Sequence, residues 1–303
     1  MNTKDSIMNS MSSLQSQYIT CRYVLAACID CVAENHSSNK INDVNSYQAI
    51  ILKRVCRSLI TLEDILCKGD DLVSGYGLLR MIVDGICSYC FIYDNSDGDE
   101  VLFRHYLYIL DGCSQFNDFY NQMKSCSQLD NGKKKEVNDR DQNQDNKEIE
   151  IIQEGVLEEI KQHLYFKNNA KQIEPIIQFR NWKYKSLLLP KENNRYEWIE
   201  LYERVIGDRS ISILISRYLS QYVHGLFLCN SNNPNTDIHY IIIYNLAILI
   251  ETLLLKSVYN IFSKEQLFER MLNRIDVKKF DSDKRINYDD IISFLKHFNL
   301  LNV

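Results

Sequence analysis

The run LVSGYGLLRMIVDGICSYCF, residues 72–91, decides the fold. Leu72, Leu78/Leu79, Ile82/Val83, Ile86, Cys90 and Phe91 recur every three or four residues, the period of a helix with one buried face. Asp70 or Asp71 stands where an N-cap belongs, and Asn95-Ser96-Asp97-Gly98 closes the block.

The same period extends outward in both directions. Upstream, Leu14 to Ala33 carries Tyr18, Cys21, Val24/Leu25, Cys28 and Val32 on one face. A second helix, capped by Asn45 with Gln48 at its third position, carries Ile50/Ile51, Val55, Leu59, Leu62 and Leu66 as far as Gly69. Downstream, Glu100 to Met123 uses Leu102, Tyr106, Ile109/Leu110, Phe116 and Tyr120. Residues 127–147 are rich in Asp, Asn, Gln and Lys, including Lys133-Lys134-Lys135, and read as a polar loop or tether. Helical pattern resumes over Glu148–Phe166, and Glu174-Pro175 opens another short helix. Trp182 to Asn194 is irregular. Tyr196–Val205 and Asp208–Val223 are two helices split by Gly207, with Gly225 as C-cap. Asp237 to Phe262 is the most apolar segment, but Asn245 and Glu251 interrupt it, so a core helix rather than a membrane span is expected. Ser263-Lys264-Glu265-Gln266 has the form of a capping box for a further helix.

Composition agrees. The chain has 303 residues with only 10 Gly and 3 Pro, against averages of roughly 7% and 5%. That scarcity of breakers excludes turn-rich sandwiches and barrels, and 45% hydrophobic residues exclude wholesale disorder. The expected fold is all-α: a main helical bundle over 1–262, with 127–147 as its polar loop, and a small helical appendix over 263–303.

Charge and cysteine usage narrow the function classes. Thirty-five Lys plus Arg against 40 Asp plus Glu give a net charge of −5, which offers no basic footprint for general nucleic-acid binding. Met1 to Gln17 lacks the apolar core of a secretory signal, so a cytoplasmic protein with free, buried thiols is expected. Cys28/Cys31 and Cys87/Cys90 have a zinc-like spacing, yet both pairs lie inside amphipathic helices rather than in loops that let sulfurs converge. Asp281 to Ile292 is rich in Asp but lacks the central Gly and the twelfth-position Glu of a calcium loop. No cofactor or metal is implied.

Two constellations remain. Arg80 and Asp84 are four residues apart and share a helix face among apolar neighbours, where they can form a charge-assisted contact. In a regular helix, Arg217 and His224 also share a face: seven residues at ~100° each return within about 20°. Gln221 lies between them, Ser220 lies one turn before His224, and Tyr222 belongs to the opposing stripe. A guanidinium and an imidazole so placed can hold a phosphodiester and move a proton. The alternative is a buried polar network of Arg80, Asp84, Ser220 and His224 that fixes helix packing, with Gln221 and Tyr222 as further binding or network residues. A Ser220-His224-Asp84 hydrolase fails at the outset, because a serine within a regular helix lacks the strained turn that exposes a nucleophile.

Arg80 to Asp84 in an apolar helix, Trp182 in an irregular stretch and Ser220-Gln-Tyr-Val-His-Gly225 together resemble a widespread family of bacterial helical proteins known as a domain of unknown function. The likeness runs from about Leu14 to Phe262. The spacing of Arg217 and His224 also resembles the Arg-x(4-6)-His signature of HEPN domains, helical modules found as RNases in toxin and antiphage systems. Tyr218 after the arginine departs from that pattern. These resemblances imply an interaction or regulatory module of a bacterial defence system or, alternatively, a metal-independent RNase using Arg217 and His224. They also imply a protein partner or a homodimer, with RNA as the second ligand class; the acidic net charge argues against general DNA binding, and the interrupted segment Asp237 to Phe262 against a membrane.

Overall fold

A computed structural model of the chain describes residues 3–38, 40–69, 71–129, 139–190, 193–224, 237–266, 270–271 and 296. The described residues are predominantly helical, with no strand among them, so the all-α expectation is met. The helices are α1 (Thr3–Asn35), α2 (Val44–Asp64), α3 (Leu72–Tyr93), α4 (Gly98–Leu129), α5 (Asp139–Gln162), α6 (Leu164–Gln178), α7 (Trp198–Ile206), α8 (Arg209–Leu214), α9 (Ser220–Val223) and α10 (Asp237–Ile261). Wider π-turns occupy Ile65–Gly69 and Ile215–Leu219.

The expected main bundle divides into two compact units. One comprises residues 1–39, 45–94 and 198–303, the other residues 40–44 and 95–197. The appendix expected over 263–303, like the acidic stretch from Asp281 to Ile292, lies almost wholly outside the described residues.

In the first unit, α1, α3 and α10 run parallel. Tyr18 meets Tyr244 and His36 meets Phe262 along one pair, while Gly75 faces Ile243 and Tyr76 reaches the His239 carbonyl along the other. The second helix returns antiparallel, its Leu59 carbonyl accepting from Tyr18 and its Gln48 side chain from Tyr89. Gly75 marks a close approach: a Cβ there would stand 3.0 Å from the Leu66 and 3.3 Å from the Ile243 side chain, so both would have to shift by a few tenths of an ångström. Both α3 and α10 are long and apolar enough to cross a membrane, but two thirds of the apolar window of the first and half of that of the second are buried inside the protein. The apolar α10 also buries Glu251 completely, with neither carboxyl oxygen hydrogen-bonded. The nearby Cys21 thiol is a weak donor, and burial holds the carboxyl protonated well above the ordinary range.

In the second unit, α4 and α5 pair antiparallel, with Tyr106 donating to Glu159 and Asn117 to Gln153. His105, fully buried, bonds the Ile41 carbonyl at 2.9 Å, and burial pushes its imidazole down to about 4. Arg104, 3% exposed, binds the irregular segment after α6 by donating to the carbonyls of Trp182 at 2.9 Å and Tyr184 at 3.1 Å.

Several local expectations are corrected. The polar stretch 127–147 is not one loop: α4 reaches Leu129 and α5 begins at Asp139, because Gln, Glu, Lys and Arg are good helix formers and no Gly or Pro falls between 139 and 147. Only 130–138, including Lys133 to Lys135, lies outside the described residues. The expected helix 148–166 breaks at His163, whose extended backbone and Nδ1 cap α6 by accepting from the Tyr165 N–H. Pro175 sits inside α6 rather than at its start, the helix having already turned at Asn169. Asn45 lies within the first turn of α2 and takes a hydrogen bond from Gln48 instead of capping the backbone. Ser263 opens no capping box: it donates to the Asn260 carbonyl within a short 3₁₀ turn, and Gln266 adopts the left-handed conformation that ends it. Gly225, the expected C-cap, lies outside the described residues, whereas Asp71 and Asp208 cap α3 and α8 as their positions predict.

The end of α6 has a Schellman arrangement. The Asn181 N–H bonds the Ile176 carbonyl and the Arg180 N–H bonds Ile177, with Arg180 at φ 48° where glycine is usual. Arg180→Gly is therefore expected to stabilise the protein by about 1 kcal/mol, by removing a Cβ from a left-handed backbone. The thermal midpoint measures it, and an unchanged or lower midpoint would contradict it.

Candidate functional site

Along α3, Tyr76, Arg80, Asp84 and Ser88 follow one another at intervals of four and line a single face. Arg80 Nε donates to Asp84 at 3.3 Å, so the expected contact forms. The guanidinium also reaches the Ile215 carbonyl at 3.5 Å and lies 5.1 Å from the centre of the Tyr202 ring. Tyr202 closes the group by donating its hydroxyl to Asp84, and burial keeps that phenol protonated. The Ile215 carbonyl is where the π-turn begins. Such turns displace carbonyls from the regular ladder, and Arg80 supplies this one with a donor.

A second polar group sits one turn earlier. Tyr222 donates to Tyr218 and Tyr218 contacts Tyr76, both at 3.3 Å, while the Tyr218 hydroxyl is 2.6 Å from His239 Nδ1. The rings of Tyr76 and Tyr222 stack at 4.3 Å. Of these residues the sequence reading singled out only Tyr222 as a site residue. The four-residue interval from Tyr76 to Arg80 was the available signal for Tyr76. Nothing local marks His239, which arrives from α10.

The structure does not join Ser220, Arg217 and His224 to this network. Ser220 donates its hydroxyl to the Ser216 carbonyl. Gln221 is half-buried in α9. Arg217 and His224 are both exposed, and neither side chain has a hydrogen bond or ion pair among the described residues. Arg217 itself lies in the π-turn. One extra residue in that turn displaces the following register by up to ~100° relative to a regular helix, so the seven-residue arithmetic does not apply to this segment. The packing network that would bond Arg80 to His224 is thus corrected to Arg80, Asp84 and Tyr202.

Cys28, Cys31, Cys87 and Cys90 are buried thiols outside any disulfide, and Cys28 donates to Met271. Among the described residues no three His, Cys, Asp or Glu side chains come together as a metal site.

A concave surface lies in the second unit. A groove of about 450 Å³ lies between the last turns of α6 and residues 187–190 together with Asn194 and Arg195. Its apolar walls are Ile176, Phe179, Leu187, Leu188 and Leu189, and Lys171 and Arg195 stand in its lining as exposed cations. Asn194, 2% exposed, shapes the far wall. Its Oδ1 accepts from the Lys185 and Ser186 N–H groups, each at 2.9 Å, and its Nδ2 donates to the Leu189 carbonyl. Asn181 donates to the Asn194 carbonyl, which leaves its own buried Oδ1 without a donor. The sequence reading noted the irregular stretch but not the groove, because its walls come from two separate segments.

No protein-family model, curated protein or solved structure matches this chain.

Proposed function

We propose that the chain is an interaction module that receives a partner polypeptide in the groove of the second unit. The exposure of the groove's lip carries this reading: Leu188 is 78%, Phe179 48% and Leu189 43% exposed. A site for a small molecule buries most of its own wall. Apolar side chains that stand this far into solvent around a concavity favour an occupant broad enough to cover them, as a polypeptide surface is. A place in bacterial defence rests on the family resemblance, and a place in the cytoplasm on the N-terminal sequence and the cysteine usage.

Installing a benzophenone photocrosslinker at position 188, and at exposed Arg57 as a control, tests the reading. A discrete adduct is expected from 188 alone, and the purified partner should displace the neutral dye Nile red from the groove. Equal labelling from both positions, or no displacement, would contradict it.

The resemblance to HEPN nucleases supplies the second reading, favoured by the exposure of Arg217 and His224 without side-chain partners among the described residues. In that case His224 moves the proton and Arg217 offsets charge developing at phosphorus. Labelled cellular RNA incubated with the protein in chelator should be cut by the parent and at least 100-fold more slowly by His224→Ala. An inert parent ends this reading.

A further inference from the structure

We infer that the groove selects an acidic segment with apolar anchors: leucine- or phenylalanine-sized side chains on its floor and carboxylates beside Lys171 and Arg195. The inference rests on the docking role proposed above and goes further by naming the chemistry of the occupant.

Three observations lead there. First, the chain as a whole is acidic, with a net charge of −5, yet the described residues lining this groove include two cations and no carboxylate. A local reversal of the protein's own sign attracts the opposite charge and repels basic competitors. Second, the space between the cations is apolar, made by Ile176, Phe179 and the three leucines, so charge alone does not satisfy it. Third, the groove's lining holds an acceptor that lacks a donor: Asn181 Oδ1 is buried and has no hydrogen bond. A polypeptide brings N–H donors along with its side chains, which a fatty acid or an inorganic anion does not.

The probes are three fluorescein-labelled peptides of twelve residues. One carries Leu and Phe at helical spacing with Asp and Glu elsewhere. In the second every acid is replaced by Lys, and in the third every Leu and Phe by Ala. Fluorescence anisotropy against the full chain should show saturable binding of the first alone, weakening severalfold between 0.05 and 0.5 M salt, on the order expected for screened surface charge. The double variant K171E/R195E and the variant Leu188→Asp should each weaken it at least tenfold. All three positions are exposed, so circular dichroism and the thermal midpoint should stay unchanged. Equal or tighter binding of the basic peptide, or binding unaffected by K171E/R195E, overturns the inference. If Nile red binds the parent but not Leu188→Asp while no peptide binds, the inference fails and the groove remains an apolar receptor. If neither dye nor peptide binds, the docking role fails with it.

Discussion

Arg104→Met is expected to release the segment from Trp182 to Glu197 and to abolish the groove without unfolding the first unit. The side chain of Arg104 is buried at the centre of the second unit, 3.9 Å from the Tyr184 ring centre. It donates to the carbonyls of Trp182 and Tyr184 and, at 2.6–2.9 Å, to the Glu100 carboxylate one helical turn away. Removing one member of a buried charged pair costs about 3–5 kcal/mol; Glu100 is 27% exposed and partly hydrated, which discounts that figure, while two buried backbone carbonyls lose their donors, at about 1–3 kcal/mol each. Arg104→Lys should lose nearly as much, since an ammonium cannot reproduce the planar fork that serves three acceptors. Hydrogen exchange resolved by segment reads the effect: protection should vanish over 182–197 and persist in α3 and α10. Retained protection over 182–197 would show that Asn194 and the local turns suffice.

The second large effect has the opposite sign. Glu251→Leu should stabilise the first unit at pH 8 by about 3 kcal/mol, since burying an unpaired ionisable group opposes folding. Unfolded, this carboxyl loses its proton near the ordinary 4.5; folded, burial retains it. The unfolded state therefore binds fewer protons above pH 4.5, and stability falls as pH rises by about 1.4 kcal/mol per pH unit until the folded carboxyl itself ionises. Below pH 4.5 the full stability is present. His105 works in the other direction within the second unit. Its imidazole, held near 4 in the fold, lets the unfolded state bind more protons as pH falls from 6.5 to 4, so stability is lost over that window. Denaturant melts of the parent and Glu251→Leu at pH 5 and pH 8 should differ mainly at the higher pH. A variant less stable than the parent at both would show that the carboxyl has a partner.

What the sequence disclosed was the part of the structure that repeats. Leu72 to Phe91 announces α3 by period alone, and Asp71 and Asp208 announce their helix starts because an Asx cap acts within three residues of itself. Local rules fail where distant chain intervenes. Pro175 reads as a helix start until the break at Asn169 is known, and no local signal marks Arg104, whose acceptors at Trp182 and Tyr184 come from distant chain. Arg80 with Asp84 was visible as a four-residue interval. Tyr202 and His239, which complete the two polar groups on α3, come from other helices and leave no local trace. The arithmetic joining Arg217 to His224 assumed 3.6 residues per turn, and the π-turn at Ile215–Leu219 removes that assumption.

Hydrogen–deuterium exchange of the full chain, with and without a saturating amount of the acidic leucine- and phenylalanine-bearing peptide, addresses the docking account most directly. The account predicts new protection over the last turns of α6 and residues 187–195, with α8, α9 and His224 unchanged. Protection confined to the segment from Arg217 to His224, with the groove unaltered, would contradict it.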